Sequence, residues 1–488
     1  VDTRFAAPVV TPPRADESPA SPSTTFESKA PSSSGDARGT PFLFVDVREG
    51  SGVDFVHVSG MTSEKLFPTA NGSGVAIFDG DGDGRMDLYF ATGNRLPLDQ
   101  SPASRNRYFR NLGNWKFEDA TEQSGLGFRG YCHGITVGDI DNDGDSDLFL
   151  ANYGGDALFL NRGDGTFQEI GESSGIRRLG DWSSGAAWLD FDKDGDLDLY
   201  VSRYGDWRYP EDNKFCGDPL RKIRRYCSPK ELRYARHTFW RNNGDLTFTD
   251  VTESAGVNRG DGHGFAVLAA DLDGDGSTDL YVANDQDPNF LFLGQSGGSF
   301  RDVTLESGAA FNVEGQTQAG MGADAEDLDG DGRPELVVTN FQEEYNTVYR
   351  NLGRGLFLDV SDAFGVAVDS LPWLGWGCAL ADLDNDGWPD LVVVNAHIDD
   401  NAAVAGQPVE YAQPPLLHHN QAGKLFRLAN RGAGDYFASK HLGHGLAVGD
   451  LDDDGDLDLV VNHKDGPPAL LRNDSPGLAG HRWLRLKL

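Results

Sequence analysis

Apolar residues in this chain come in runs of three to six, set apart by Gly, Asn and Asp, and the runs recur in a fixed order. An apolar stretch such as DLYFA (87–91), DLFLA (147–151) or DLVVV (390–394) is followed by YFRNLG (108–113), LFLNRGDGTF (158–167) or VYRNLGRGLF (348–357). Then comes FEDAT, FTDVT, FRDVT or FLDVS, mostly leading into a Ser-Gly pair or a similar turn. Short runs rich in Val, Leu, Phe and Tyr between turn residues predict β-strands, four to each unit. No run approaches the ~18 apolar residues of a membrane helix.

Between the first and second strand of each unit stands one nine-residue string, and it returns seven times. It reads DGDGDGRMD from Asp79, DIDNDGDSD from Asp139, DFDKDGDLD from Asp190 and DLDGDGSTD from Asp271. It continues as DLDGDGRPE from Asp327, DLDNDGWPD from Asp382 and DLDDDGDLD from Asp450. Starts are 60, 51, 81, 56, 55 and 68 residues apart. Five residues ahead lies Gly74, Gly134, Gly185, Gly322, Gly377 or Gly445, with Ala266 in the fourth copy. Four strands in each repeat of this length match a propeller blade. The expectation is an all-β, seven-bladed β-propeller over residues 42–488. A string of separate small modules fails on burial, because a lone four-stranded sheet cannot cover both its faces. Residues 1–41, rich in Pro, Ser, Thr and Ala, read as a leader or linker.

Ring closure follows from a mismatch of parts. The last unit supplies strands near Leu446–Asp450, Leu457–Asn462 and Ala469–Asn473 but lacks an FxDVT segment, while Phe42–Val47 (FLFVDV) is a spare one. Phe42–Val47 is therefore predicted to be the outer strand of blade seven, with Trp483–Leu488 as its competitor for that edge.

Composition changes the chemistry more than the fold. Of 488 residues, 59 are Asp and only 18 Glu, 62 are Gly, and the net charge is −35. Asp and Gly favour turns and oxygen-rich loops over helices, and a surface this acidic repels nucleic acid. Asp at positions 1, 3, 5 and 9 with Gly at 6 is the ligand pattern of a calcium loop. The predicted carboxylate ligands are Asp79, Asp81, Asp83 and Asp87 in the first copy, then Asp139, Asp141, Asp143 and Asp147. Next come Asp190, Asp192, Asp194 and Asp198, and Asp271, Asp273, Asp275 and Asp279. The last three sets are Asp327, Asp329, Asp331 and Glu335; Asp382, Asp384, Asp386 and Asp390; and Asp450, Asp452, Asp454 and Asp458. Position 7 adds a backbone carbonyl from Arg85, Asp145, Asp196, Ser277, Arg333, Trp388 or Asp456.

Without a cation, four such carboxylates repel by several kcal/mol even at an effective dielectric of about 20. Ligand number and loop flexibility favour Ca²⁺ over Mg²⁺. Position 12 excludes the EF-hand, which needs Glu there between helices; here it is Phe90, Leu150, Val201, Val282, Val338, Val393 or Val461. About seven calcium ions are expected, in a structural role, taking the charge from −35 to −21.

The unit G-x-A-x-x-D-x-D-x-D-G-x-x-D-L resembles the FG-GAP/VCBS repeat of integrin-α-type propellers. Three further stretches resemble the cartilage-acidic-protein-like (ASPIC/UnbV) family: CGDPLRKIRRYCSP (216–229) before FWRNNGDLTFTDVT, NAHI (395–398) before PLLHHN, and PALLRNDSPGLAGHRWLRLKL (468–488). Residues 474–488 resemble the entry to that family's C-terminal module. The resemblance implies an extracellular or cell-surface setting and no particular reaction.

Other motifs are read on their own residues. Gly294-Gln295-Ser296-Gly297-Gly298 fits the G-x-S-x-G pattern of a hydrolase nucleophile, but it falls where other units carry a tight turn and is read as a hairpin. Cys216 and Cys227 lie inside an insertion, Arg203–Arg236, with no His pair nearby, so a disulfide is expected there. Such a ring contributes on the order of 3 kcal/mol and implies an oxidising compartment. Cys132 and Cys378 belong to blades two and six and are expected to be buried thiols. His133, His263 and His444, with Trp376 in a comparable place, precede loop Asp residues and should approach one mouth of the axial channel as candidate ligand-binding groups.

The two large insertions, Arg203–Arg236 and Ala396–Pro415, fall opposite the acidic loops. The first carries ten Lys/Arg against five Asp/Glu, which makes it either a docking site for an anionic partner or a lid paired with its own acidic propeller. The function expected is that of a non-enzymatic calcium-binding propeller mediating binding or adhesion to a protein or glycan, secreted, at the cell surface or in a periplasm. The alternatives are a polysaccharide-acting enzyme using the channel mouth and a self-assembling structural subunit.

Overall fold

The computed structural model describes residues 39–96, 98, 105–176, 180–404, 406 and 409–478. Seven four-stranded antiparallel sheets make seven blades. Blade one runs Val75–Phe78, Asp87–Phe90, Arg107–Asn111 and Phe117–Asp119, each strand paired with the next. The same order recurs through blades two to six, opening at Tyr131–Gly138, Ser183–Leu189, Gly264–Ala270, Ala323–Glu326 and Gly375–Ala381.

Blade seven differs in where its edge comes from. Its three C-terminal strands, Gly443–Gly449, Asp458–His463 and Ala469–Asn473, are completed by Phe44–Asp46. Phe44 stands opposite Asn473 and Asp46 opposite Leu471. The expected closure is borne out, and both ends of the described chain lock one sheet. Trp483–Leu488 and the leader up to residue 38 lie outside the described residues.

Burial explains why each run takes its place. Second strands such as Asp87–Phe90 and Asp198–Arg203 are buried along their whole length, between neighbouring blades. Outer strands such as Phe117–Asp119 bury only alternate residues. Seven apolar clusters fill the joints between blades; at the first, Phe78, Tyr89 and Tyr108 meet Leu148, Leu150 and Phe159. An eighth lies off the ring: Leu66, Phe67, Ala70, Trp182, Tyr204, Trp207 and Tyr226.

The hairpin reading of the G-x-S-x-G string is borne out, since Phe290–Gln295 pairs with Ser299–Asp302 across it. Cys216 and Cys227 form the expected disulfide, closing a small hairpin, Cys216–Asp218 with Ile223–Arg225. Cys132 is buried and Cys378 half-buried, both as thiols.

Candidate functional site

The seven acidic loops share one backbone design. Position 4 is left-handed in every copy: Gly82, Asn142, Lys193, Gly274, Gly330, Asn385 and Asp453. So is the glycine at position 6, with φ of 82–94°, the region where a side chain is strained. That turn lets the amide of position 6 donate to the position-1 carboxylate, as Gly84 does to Asp79 (3.0 Å) and Gly387 to Asp382 (2.8 Å). The carboxylates at positions 1, 3 and 9 then converge: oxygens of Asp79, Asp81 and Asp87 lie within 4.8 Å of one another, as do those of Asp139, Asp141 and Asp147, and of Asp271, Asp273 and Asp279.

One oxygen in several loops is left over. Oδ1 of Asp79, Asp192, Asp329, Asp384 and Asp452 is buried and accepts no hydrogen bond among the described residues. A buried carboxylate oxygen without a donor is costly, and a hard dication among several of them removes the cost. The donor set is all oxygen, which suits calcium. Burial, reinforced by neighbouring carboxylates, pushes the position-9 acids upward against the amides that bind them. They stand at about 7 for Asp147, Asp198, Asp279 and Glu335 and about 8 for Asp390 and Asp458.

Position 9 also has a second role that the motif alone does not reveal. In blade three, Asp198 accepts the amides of Phe191 (3.2 Å) and Asn242 (2.8 Å), and Asn242 donates its side-chain amide to the Ile140 carbonyl in the loop of blade two (2.8 Å). Asn111, Asn161, Asn351, Asn420 and Asn473 repeat this reach into the preceding blade. The acidic loops are thereby tied into a ring. Blade four is the exception: Gly294 stands at that position, and a Cβ there would lie 2.5 Å from the Thr278 carbonyl oxygen. The signal was present in the sequence as the recurring Asn that ends the third strand. Asn242→Ala is expected to cost about 1–3 kcal/mol, because the Ile140 and Leu197 carbonyls lose a buried donor; urea melts under saturating calcium measure it.

Loop six has a further partner. His419, on the third strand, places Nε2 3.2 Å from Asp384 and 3.6 Å from Asp386. The Asp384 carboxylate beside it raises the imidazole pKa against the opposing effect of burial. Arg350 approaches Asp329 from the corresponding strand position in blade five (3.2 Å).

The opposite face is covered by the insertions. Arg225 of the first donates Nε to Asp399 of the second (2.9 Å), and the Tyr226 amide donates to the same carboxylate (3.1 Å). Arg221 reaches the Val404 carbonyl (3.0 Å), and Asn401 donates to the Arg224 carbonyl (2.9 Å). From the segment between blades seven and one, Lys65 pairs with Asp400 (2.6 Å). The insertions of blades three and six thus meet over the axis.

The basic excess is largely answered within the chain. Arg203 pairs with Asp156, Arg208 and Arg233 with Asp206, Arg233 with Asp212, and Arg236 with Asp250. Arg224 donates to Asn213 and Lys214. The hairpin tip stays exposed: Leu220 is 94% exposed beside Lys222 and Arg221, the latter reaching the Val404 carbonyl.

His133, Trp376 and His444 all line the axial cavity, and Trp376 stacks on His444 with ring centres 4.0 Å apart. His263 lies elsewhere. Its Nδ1 is 2.6 Å from Asp287 and its ring 4.6 Å from Tyr234, beneath the first insertion, while Phe265 lines the axis for blade four. The lid aromatics Phe67, Tyr204 and Tyr226 were not legible as a group, since Phe67 comes from the segment between blades seven and one and the two tyrosines from the first insertion.

Seven blades, each with an acidic loop between its first two strands, define the class. The FG-GAP-like repeat model matches residues 79–150, 139–201, 232–282, 271–338 and 327–393, and the chain belongs to that family. It is also similar to cartilage acidic protein 1. The human protein is 26% identical over 93% of this chain and 67% of its own length. The Xenopus tropicalis protein is 28% identical over 55% and 38%, and the Mus musculus protein 26% over 86% and 62%. The chain therefore spans between about two fifths and two thirds of these relatives. Among solved structures, an Agrocybe aegerita lectin that recognises non-reducing terminal N-acetylglucosamine overlaps 74% of this chain and 80% of its own, at 19% identity and a TM-score of 0.44. BBS1N, solved in complex with ARL6DN, overlaps 90% of this chain and 98% of its own, at 10% identity and 0.48. At these scores neither overlap bears on function.

Proposed function

We propose that this chain is a calcium-stabilised binding module of an oxidising, calcium-containing compartment, and that it engages a protein or glycan partner through the face covered by its two insertions. One observation carries the reading: insertions from blades three and six are tied across the axis by Arg225 and Asp399, which builds an irregular surface on an otherwise repetitive scaffold. Loops on a rigid frame are where binding residues usually lie. The acidic loops serve the frame. The Cys216–Cys227 disulfide supports the compartment.

The hairpin tip is the part of this face available to an anionic partner; Arg224 and Arg225 are already engaged. A glycan array read with the calcium-loaded chain tests the proposal, comparing wild type with Arg221→Glu/Lys222→Glu. Binding is expected to weaken about tenfold, more at low salt than at high, with calcium content and melting temperature unchanged. Binding that survives this change but is lost on altering the opposite-face turn Asn161–Thr166 places the partner on the wrong side. Hydrolysis of a bound glycan makes the chain an enzyme instead.

A further inference from the structure

A cavity of about 270 Å³ lies at the axial mouth, walled by Phe67, Tyr204, Phe341 and Trp376 with Asn71 and Asp285 among them. A second, of about 160 Å³, shares Met321 and Trp376 with it and is lined by His133, Phe265 and His444. Exposed Ser228 and half-buried Gln286, joined by a 2.9 Å hydrogen bond, also line the first, so its rim reaches the surface.

Several polar groups on these walls find no hydrogen-bond partner among the described residues. Among the described residues, both ring nitrogens of His133 and Nε2 of His444 are buried without a hydrogen-bond partner, and the two residues are 6% and 4% exposed. The Nδ2 amide of Asn71, 4% exposed, lies near the Tyr204 hydroxyl without hydrogen-bond geometry. Buried polar groups are almost always paired, so this many on the walls of one axial space marks a place where the partner comes from outside the chain. Burial holds His133 down to about 3 and His444 well below its usual range. Both are therefore neutral near pH 7, able to donate or accept hydrogen bonds and unsuited to pairing an anion.

Charge narrows the occupant further. Asp285 and Asp399 face the upper cavity, which disfavours an anion. Beside it, Lys65 and Lys464 both stand over the Tyr226 ring, at 5.3 and 5.6 Å, and Arg225 is at the wall, which disfavours a cation. Flat aromatic walls with scattered donors and acceptors suit a ring that is apolar on its faces and hydroxylated at its edge. The volume falls below the 300–1,000 Å³ typical of drug-sized ligands, leaving room for one such ring.

Resting on the reading of this chain as a binding module, we propose that the axial cavity takes a single neutral sugar ring, the terminal hexose or N-acetylhexosamine of a glycan. Calorimetric titration of the calcium-loaded full chain with free hexoses, N-acetylhexosamines and their methyl glycosides tests it. Glycine betaine, inorganic phosphate and Zn²⁺ serve as the cationic, anionic and metal probes.

At least one neutral sugar is expected to bind at millimolar concentration or below. Its affinity should fall about tenfold in Asn71→Leu and Trp376→Leu, and in the more conservative His133→Gln. Each variant's melting temperature and calcium content show whether it has folded. No sugar binding, affinity retained in folded Asn71→Leu and His133→Gln, or binding of betaine, phosphate or Zn²⁺ in place of a sugar overturns the proposal. Partner binding lost in Arg221→Glu/Lys222→Glu while no free sugar binds the wild type refutes the cavity and leaves the binding face standing.

Discussion

Excess chelator is expected to lower the melting temperature of this protein by more than about 15 °C. A ligand that binds only the native state stabilises it by mass action, about 2.7 kcal/mol for each site at a hundredfold excess over the dissociation constant, so seven sites amount to roughly 19 kcal/mol. That exceeds the usual net stability of a domain, ~5–15 kcal/mol. Removing calcium leaves buried oxygens such as Oδ1 of Asp192, Asp329 and Asp452 facing other carboxylates.

The pH dependence of the chelated protein gives a second, independent sign. Its position-9 acids titrate at about 7 to 8 in most loops, raised from 3.8 for Asp and 4.5 for Glu. A raised carboxyl pKa stabilises the fold fully below its unfolded value, and that contribution is lost as pH rises through the folded one. Without calcium, stability should therefore fall from about pH 4 to pH 8. With saturating calcium this fall should vanish, because the cation favours the ionised form. Asp273→Ala should remove one ion with a small effect on melting, the other loops being intact. A melting curve indifferent to chelator would refute the metal reading of all seven loops.

Arg203→Met should destabilise the calcium-loaded protein by about 3–5 kcal/mol, the usual cost of leaving one member of a buried ion pair alone. Arg203 and Asp156 are each 1% exposed and 2.7 Å apart. The guanidinium also donates to Ser183 and to Thr238 (3.0 Å). The pair joins blades two and three at the root of the first insertion, so its loss loosens the ring and the lid together. Adding Asp156→Leu should recover much of the stability, since the isolated charge is then gone. Urea melts of both variants decide the matter; a loss below about 1 kcal/mol for Arg203→Met would mean that water reaches the pair.

Local rules carried most of the frame. Strand period and turn residues make blades, and the acidic string sits at a fixed place in each, so seven copies specify seven blades. The spare Phe42–Val47 run and the missing edge of the last unit were complementary, which made the closure legible too. In each case the information lies within one repeat or in a count of repeats.

What the tertiary structure alone decided joins residues far apart in the chain. Asn242 reaches a carbonyl 102 residues away, Arg225 meets Asp399 at a separation of 174, and Lys65 meets Asp400 at 335. No periodicity encodes such pairs, because they depend on the angle at which blades and insertions meet. His263 is a different case: it stands eight residues ahead of its loop where His133 and His444 stand six, so Phe265, at six, takes the axis and His263 pairs with Asp287 beneath the insertion. The sequence determines the ring and its acidic loops through local hydrogen bonding and burial; only packing across the axis determines the lid, and with it the cavity beneath.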